Sequence, residues 1–118
     1  MKVSISGYPR NGEQRVKVKI HPYDIWNLDV ALAHIIHPAL LMLKQDKMGC
    51  PHVDDVDVPD ELKYSPIGWD HDIIKMQPKW DYVLDKMIEY FALVIDGKDT
   101  VGHPGIQLFA KHFSSLWT

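Results

Sequence analysis

A single cysteine, Cys50, stands in the 118-residue chain, which excludes an intramolecular disulfide and any metal site built from several thiolates. No apolar run approaches the roughly 20 residues that a membrane-spanning helix needs, and residues 1–18 hold no apolar signal core. A soluble, intracellular protein is expected. Basic residues do not prevail either. Thirteen Lys and Arg face 16 Asp and Glu, giving a formal charge of −3 with the seven histidines neutral. The chain as a whole therefore lacks the cationic surface that would draw a nucleic-acid backbone or an anionic membrane, and neither is expected as a partner. A glycine-rich phosphate loop is missing, since Gly12 and Gly49 are isolated. So are Glu-x-x-His and His-Glu-x-x-His, the spacings by which helices gather catalytic metals. There is no repeat period and no low-complexity segment.

What is present suffices for a fold. With 46% hydrophobic residues and room to bury about two thirds of its unfolded surface, the chain needs no metal or disulfide to hold a core, and residues 1–118 are expected to form a single domain. Lys2–Gly7 and Gln14–Ile20 alternate apolar and polar side chains, the period of a strand with one covered face. Pro9, Asn11 and Gly12 supply the turn between them. The Val3, Ile5, Val16, Val18 and Ile20 face of this hairpin is expected to pack on helices, because a hairpin alone is marginal.

From Asp24 to Lys47 the pattern becomes helical. Leu28, Leu32, Ile35, Ala39 and Leu43 recur at three- and four-residue spacings, predicting a helix capped by Asp24 or Asn27, bent at Pro38 and stopped near Gly49. Cys50 to Gln77 reads as a long ordered loop with a short helix over 59–64. A second helix is predicted from Pro78 to Ile95, buried through Leu84, Met87, Ile88, Phe91 and Ile95 and ended by Asp96-Gly97. A third starts at Pro104, with Ile106, Phe109, Phe113 and Leu116 as its stripe. The fold class is α+β, mainly helical: an N-terminal β-hairpin packed on about three helices.

Candidate chemistry gathers around the first predicted helix and the loop. His34 and His37, three apart, reach neighbouring positions and would share a metal or a phosphate if the Pro38 bend brings them together, with Asp85 and Glu89 of the next helix as the further ligands a metal would need. Asp29 suits a helix start, where the dipole favours a carboxylate, or serves as an acid if it faces Asp85. Asp54 and Asp55 belong to an acidic loop with His52 and Asp57. Trp69 and His71 form an aromatic and polar cluster, and Trp26 stands at the start of the helix. Cys50 follows a helix C-terminus, where the dipole disfavours a thiolate nucleophile.

Several stretches together resemble small proteins of unassigned function found in tailed bacteriophages: His21-Pro22-Tyr23-Asp24-Ile25-Trp26-Asn27-Leu28-Asp29, Leu32-Ala33-His34-Ile35-Ile36 before Pro38, Gly49-Cys50-Pro51, Val53-Asp54-Asp55-Val56-Asp57-Val58-Pro59, and Trp80-Asp81-Tyr82-Val83-Leu84-Asp85-Lys86-Met87-Ile88. The likeness spans roughly residues 20 to 92. The chain departs from that pattern at Val30, often histidine, and at Val56, often glutamate, which weakens a metal reading. The resemblance implies a viral protein made in the host cytoplasm and no assigned activity. A binding protein is expected, engaging a host or virion protein or a nucleotide-like, phosphate-bearing ligand through Trp26, His34, His37, Asp54, Asp55, Trp69 and His71, with no cofactor. The alternatives are a divalent-metal-dependent phosphohydrolase using Asp29, His34, His37, Asp85 and Glu89, and a structural subunit of a larger assembly, for which a homo-oligomer would be one form. Whether the protein is an enzyme is left open by its sequence.

Overall fold

The computed structural model describes residues 1–6, 14–63 and 69–117, and of residues 69–75 only the backbone. The architecture is α+β: a two-stranded antiparallel hairpin followed by three α-helices with short 3-10 turns between them. The chain divides into two compact units, Met1–Leu32 and Ala33–Thr118.

In the first unit, strand β1 (Lys2–Ser6) pairs antiparallel with β2 (Arg15–Lys19). The register sets Val3 opposite Val18 and Ile5 opposite Val16, so the apolar alternation seen in the sequence becomes one face of the ribbon. The expected turn at Pro9, Asn11 and Gly12 lies outside the described residues. After β2 comes a 3-10 turn over Pro22–Ile25, closed by a reciprocal cap: the Tyr23 amide donates to His21 Nδ1 at 3.2 Å and the His21 amide to Asp24 Oδ2 at 2.7 Å. Asp24 thus caps this turn and not the long helix. Helix α1 (Leu28–Asp46) starts just beyond it, with the Ala31 amide donating to the Asn27 carbonyl.

Pro38 sits inside α1 without splitting it. The buried face differs from the predicted one. Ala33 and Leu40 are buried and Ile36 and Leu43 half-buried, whereas Leu32 and Ile35 are each 42% exposed. Adjacent pairs such as Ile35-Ile36 and Ala39-Leu40 give α1 apolar residues on more than one side, so periodicity finds the helix without choosing its face.

In the second unit, helix α2 (Trp69–Ile95) begins well before Pro78, which lies within it. The extended-loop reading of Trp69, Ile73 and Ile74 is thereby corrected. Proline mid-helix removes a hydrogen bond but does not forbid the turn before it, and Asp70 and Asp72 suit a helix start. Tyr64, Pro66 and Gly68 lie outside the described residues; of the short helix expected over 59–64, a 3-10 turn at Asp60–Leu62 is formed. Helix α2 ends as predicted. Gly97 takes φ +68°, the Lys98 amide reaches the Leu93 carbonyl and the Gly97 amide that of Val94, two bonds that satisfy the last carbonyls.

Helix α3 (Gly105–Lys111) buries Gly105 and Leu108, with His112 buried just after it, while Phe113 is 63% exposed. The predicted Ile106–Phe113 stripe is therefore rotated, because the close approach of α3 to α2 occurs at Gly105. Trp80, Val83, Leu84, Met87 and Phe91 of α2 are the centre of the core, joined by Ala33 and Leu40 of α1, Val53 and Val58 of the intervening loop, and Leu108. Lys44 pairs with Asp85 and Lys47 with Asp81. Their reversed order shows that α1 and α2 run antiparallel here.

Candidate functional site

The acidic segment Asp54–Asp57 is clamped from inside the second unit. Val53 and Val58 are buried at either end, and a 3-10 turn over Asp55–Asp57 joins them. With the two ends anchored, the aspartates between them meet lysines of α2 and α3, although only Asp57 is largely covered. Asp55 accepts from Lys79 Nζ at 2.7 Å, the lysine side chain being fully buried. Asp57 accepts from Lys111 Nζ at 2.6 Å, and Asp54 lies 3.4 Å from the same ammonium. His52 Nε2 approaches Asp54 at 3.3 Å. Lys111 holds the Asp54 carboxyl below the ordinary carboxylate range, with His52 adding to the effect, and the Asp57 carboxylate in turn raises the lysine. What the sequence presents as a solvated acidic loop is largely neutralised by lysines far away in the chain.

With both flanking aspartates held, Val56 points outward and is 81% exposed. Beside it opens a groove of about 540 Å³ lined by Val58, Pro59, Tyr82, Gln107, Leu108 and Lys111, among others. Its walls come from the loop, α2 and α3.

His112 lies beneath this turn. Its Nε2 is 3.6 Å from Asp57 Oδ2, too long for a hydrogen bond, and its ring meets buried Trp80 edge-on with centroids 5.5 Å apart. Burial pushes the imidazole below its usual value, and the Asp57 charge offsets only part of that. A histidine held neutral in the fold stabilises it fully above the unfolded value of about 6.5, and that contribution is lost as pH falls through the lower folded value. Wild-type protein should therefore lose more melting temperature between pH 7.5 and pH 5 than His112→Gln does. Thermal melts at both pH values check this, and equal losses would contradict it.

The other sequence candidates are dispersed. His34 is exposed and His37 half-buried on α1, and neither makes a hydrogen bond or ion pair among the described residues. Asp29 is exposed in the first turn of α1, at home near the helix start. Asp85 is taken by Lys44, and Glu89 lies 3.2 Å from Lys86 and 3.4 Å from His103. Among the described residues no three His, Cys, Asp or Glu side chains are grouped to hold a metal. Trp26 belongs to the first unit, 75% exposed and edge-on to Tyr23 at 4.9 Å. Trp69 and His71 fall in the first turns of α2, where side chains are not described. Sequence reading missed Lys79, Lys111 and His112, whose roles depend on partners 24 to 57 residues away in the chain. Burial pushes the Cys50 thiol upward, consistent with a structural role.

No helix among the described residues is long and apolar enough to cross a membrane. Compared with protein families, curated proteins and solved structures, the chain finds no match.

Proposed function

We propose that the protein is a phage-encoded binding protein that engages a host or virion protein through the clamped Asp54–Pro59 turn and the groove beside it. The observation that carries this reading is Val56: an apolar side chain held in water by a turn whose flanking aspartates are fixed by lysines. Exposed apolar residues on rigid supports bind at little entropic cost, and a groove with Tyr82, Leu108 and Pro59 on its walls suits an apolar side chain of a partner segment. A phosphate-bearing ligand is less well served. Lys111, the cation of the groove, already faces two carboxylates, and these would repel a second anion.

The test compares partners co-purified with wild-type protein and with Val56→Glu from infected cells. At so exposed a site the substitution should leave the melting temperature within about 2 °C, since surface changes fall within roughly ±0.5 kcal/mol. A protein retained by wild type and by the exposed-site control Val101→Glu, but at least tenfold depleted with Val56→Glu, is the expected result. Equal recovery with all three would overturn the reading.

A further inference from the structure

The near-neutral total charge conceals a polar distribution. Residues 1–20 hold five Lys and Arg against one Glu, and the remaining chain holds eight against 15 acidic residues. The hairpin register sorts these cations further. Lys2 stands opposite Lys19, Ser4 opposite Lys17 and Ser6 opposite Arg15, and all six belong to the face opposite Val3, Ile5, Val16 and Val18. This face is exposed. Among the described residues none of its four cations is paired with a carboxylate.

We propose that the cationic face of the hairpin binds the phosphate backbone of duplex DNA without sequence preference. Three cations recur on alternate residues of β2, about 7 Å apart, with Lys2 beside them on β1. Like charges directly opposite, as at Lys2 and Lys19, destabilise a hairpin, and a polyanion relieves that repulsion. The intervening side chains are Ser4 and Ser6, hydroxyls of the kind that donate to phosphate oxygens. A two-stranded ribbon fits a major groove about 12 Å wide.

The same face argues against other polyanions. Single-strand binding calls for aromatic platforms among the cations, and among the described residues this face has none. The A-form major groove of RNA is too deep and narrow to admit the ribbon. An anionic membrane would need the apolar and cationic groups to enter together, but here they lie on opposite sides. A protein partner would want an apolar or aromatic anchor in the patch, and among the described residues the patch offers only serines beside its cations. The acidic remainder of the chain repels DNA, but screening over about 8 Å at physiological ionic strength confines that effect to close range.

Fluorescence anisotropy of the full chain with a labelled 25-base-pair duplex tests the proposal. Binding at 50 mM salt with a dissociation constant of roughly micromolar order is expected, and log affinity should fall against log salt with a slope of about −3 to −4, as four phosphate contacts require. The double substitution Lys17→Gln, Lys19→Gln should weaken binding at least tenfold and reduce the slope by about 2. Lys98→Gln, an exposed lysine outside the hairpin, should leave both unchanged. Circular dichroism verifies folding; if the double variant fails to fold, Lys17→Gln alone should still weaken binding severalfold and lower the slope by about 1. No binding at 50 mM salt, binding indifferent to the hairpin substitutions, or tighter binding to single strands, to duplex RNA or to phosphatidylserine vesicles would overturn the proposal.

Discussion

Gly105→Ala should lower stability by about 3 kcal/mol, the upper part of the range for overpacking a core, and the melting temperature by roughly 10–20 °C. A Cβ at this position would overlap the Lys86 carbonyl oxygen and the Tyr90 Cβ. Both belong to α2, where neither the backbone nor a Cβ can swing aside as a flexible side-chain end would. Gly105 also donates its amide to His103 Nδ1 at 3.0 Å, so α3 cannot slide away without breaking its own entry turn. The control is Gly49→Ala, where an added Cβ meets nothing within 4 Å. Calorimetry of the two variants reads the difference, and a Gly105→Ala protein as stable as the control would show that α3 does not approach α2 this closely. The consequence reaches the groove, since α3 carries Gln107, Leu108 and Lys111 toward Tyr82 and the loop.

Asp55→Ala should cost about 2–3 kcal/mol, somewhat less than the 3–5 typical of breaking a fully buried pair. Lys79 is wholly buried, but Asp55 is 42% exposed, so water moderates the loss. Removing the carboxylate takes from the ammonium one acceptor, at 2.7 Å, while leaving the charge inside. Replacing the lysine as well, in Lys79→Met with Asp55→Ala, should recover most of the stability, because an apolar side chain of similar length needs no counter-charge. Urea denaturation of the single and double variants measures this directly. A double variant no more stable than Asp55→Ala would contradict the clamp, and with it the reason Val56 stands in water.

The long helices were legible because their periods are long. The Leu84–Phe91 stripe identified the buried side of α2, and Asp96-Gly97 marked its end through a backbone requirement that only a few residues meet. The face of α1 was not legible, because Leu32, Ile35, Ile36 and Leu40 offer similar apolar stripes and the choice is made by Trp80 and its neighbours on α2. Pro78 concealed the start of α2. The charge of the turn at Asp54–Asp57 is plain in the sequence, but its structural meaning comes from Lys79 and Lys111, which no local spacing connects to it. His34 and His37 are a pair by spacing alone, and among the described residues no group of ligands includes them. The averaged charge likewise hid the cationic hairpin, which alternation within β2 already contained.

The most direct measurement of a binding role for the clamped turn is site-specific photo-crosslinking in infected cells, with a benzophenone amino acid placed at position 56 and, separately, at exposed position 101. A discrete adduct to one protein from position 56, absent from position 101 and lost when Asp55→Ala unclamps the turn, is the expected outcome. Adducts that are equally diffuse from both positions would contradict the account.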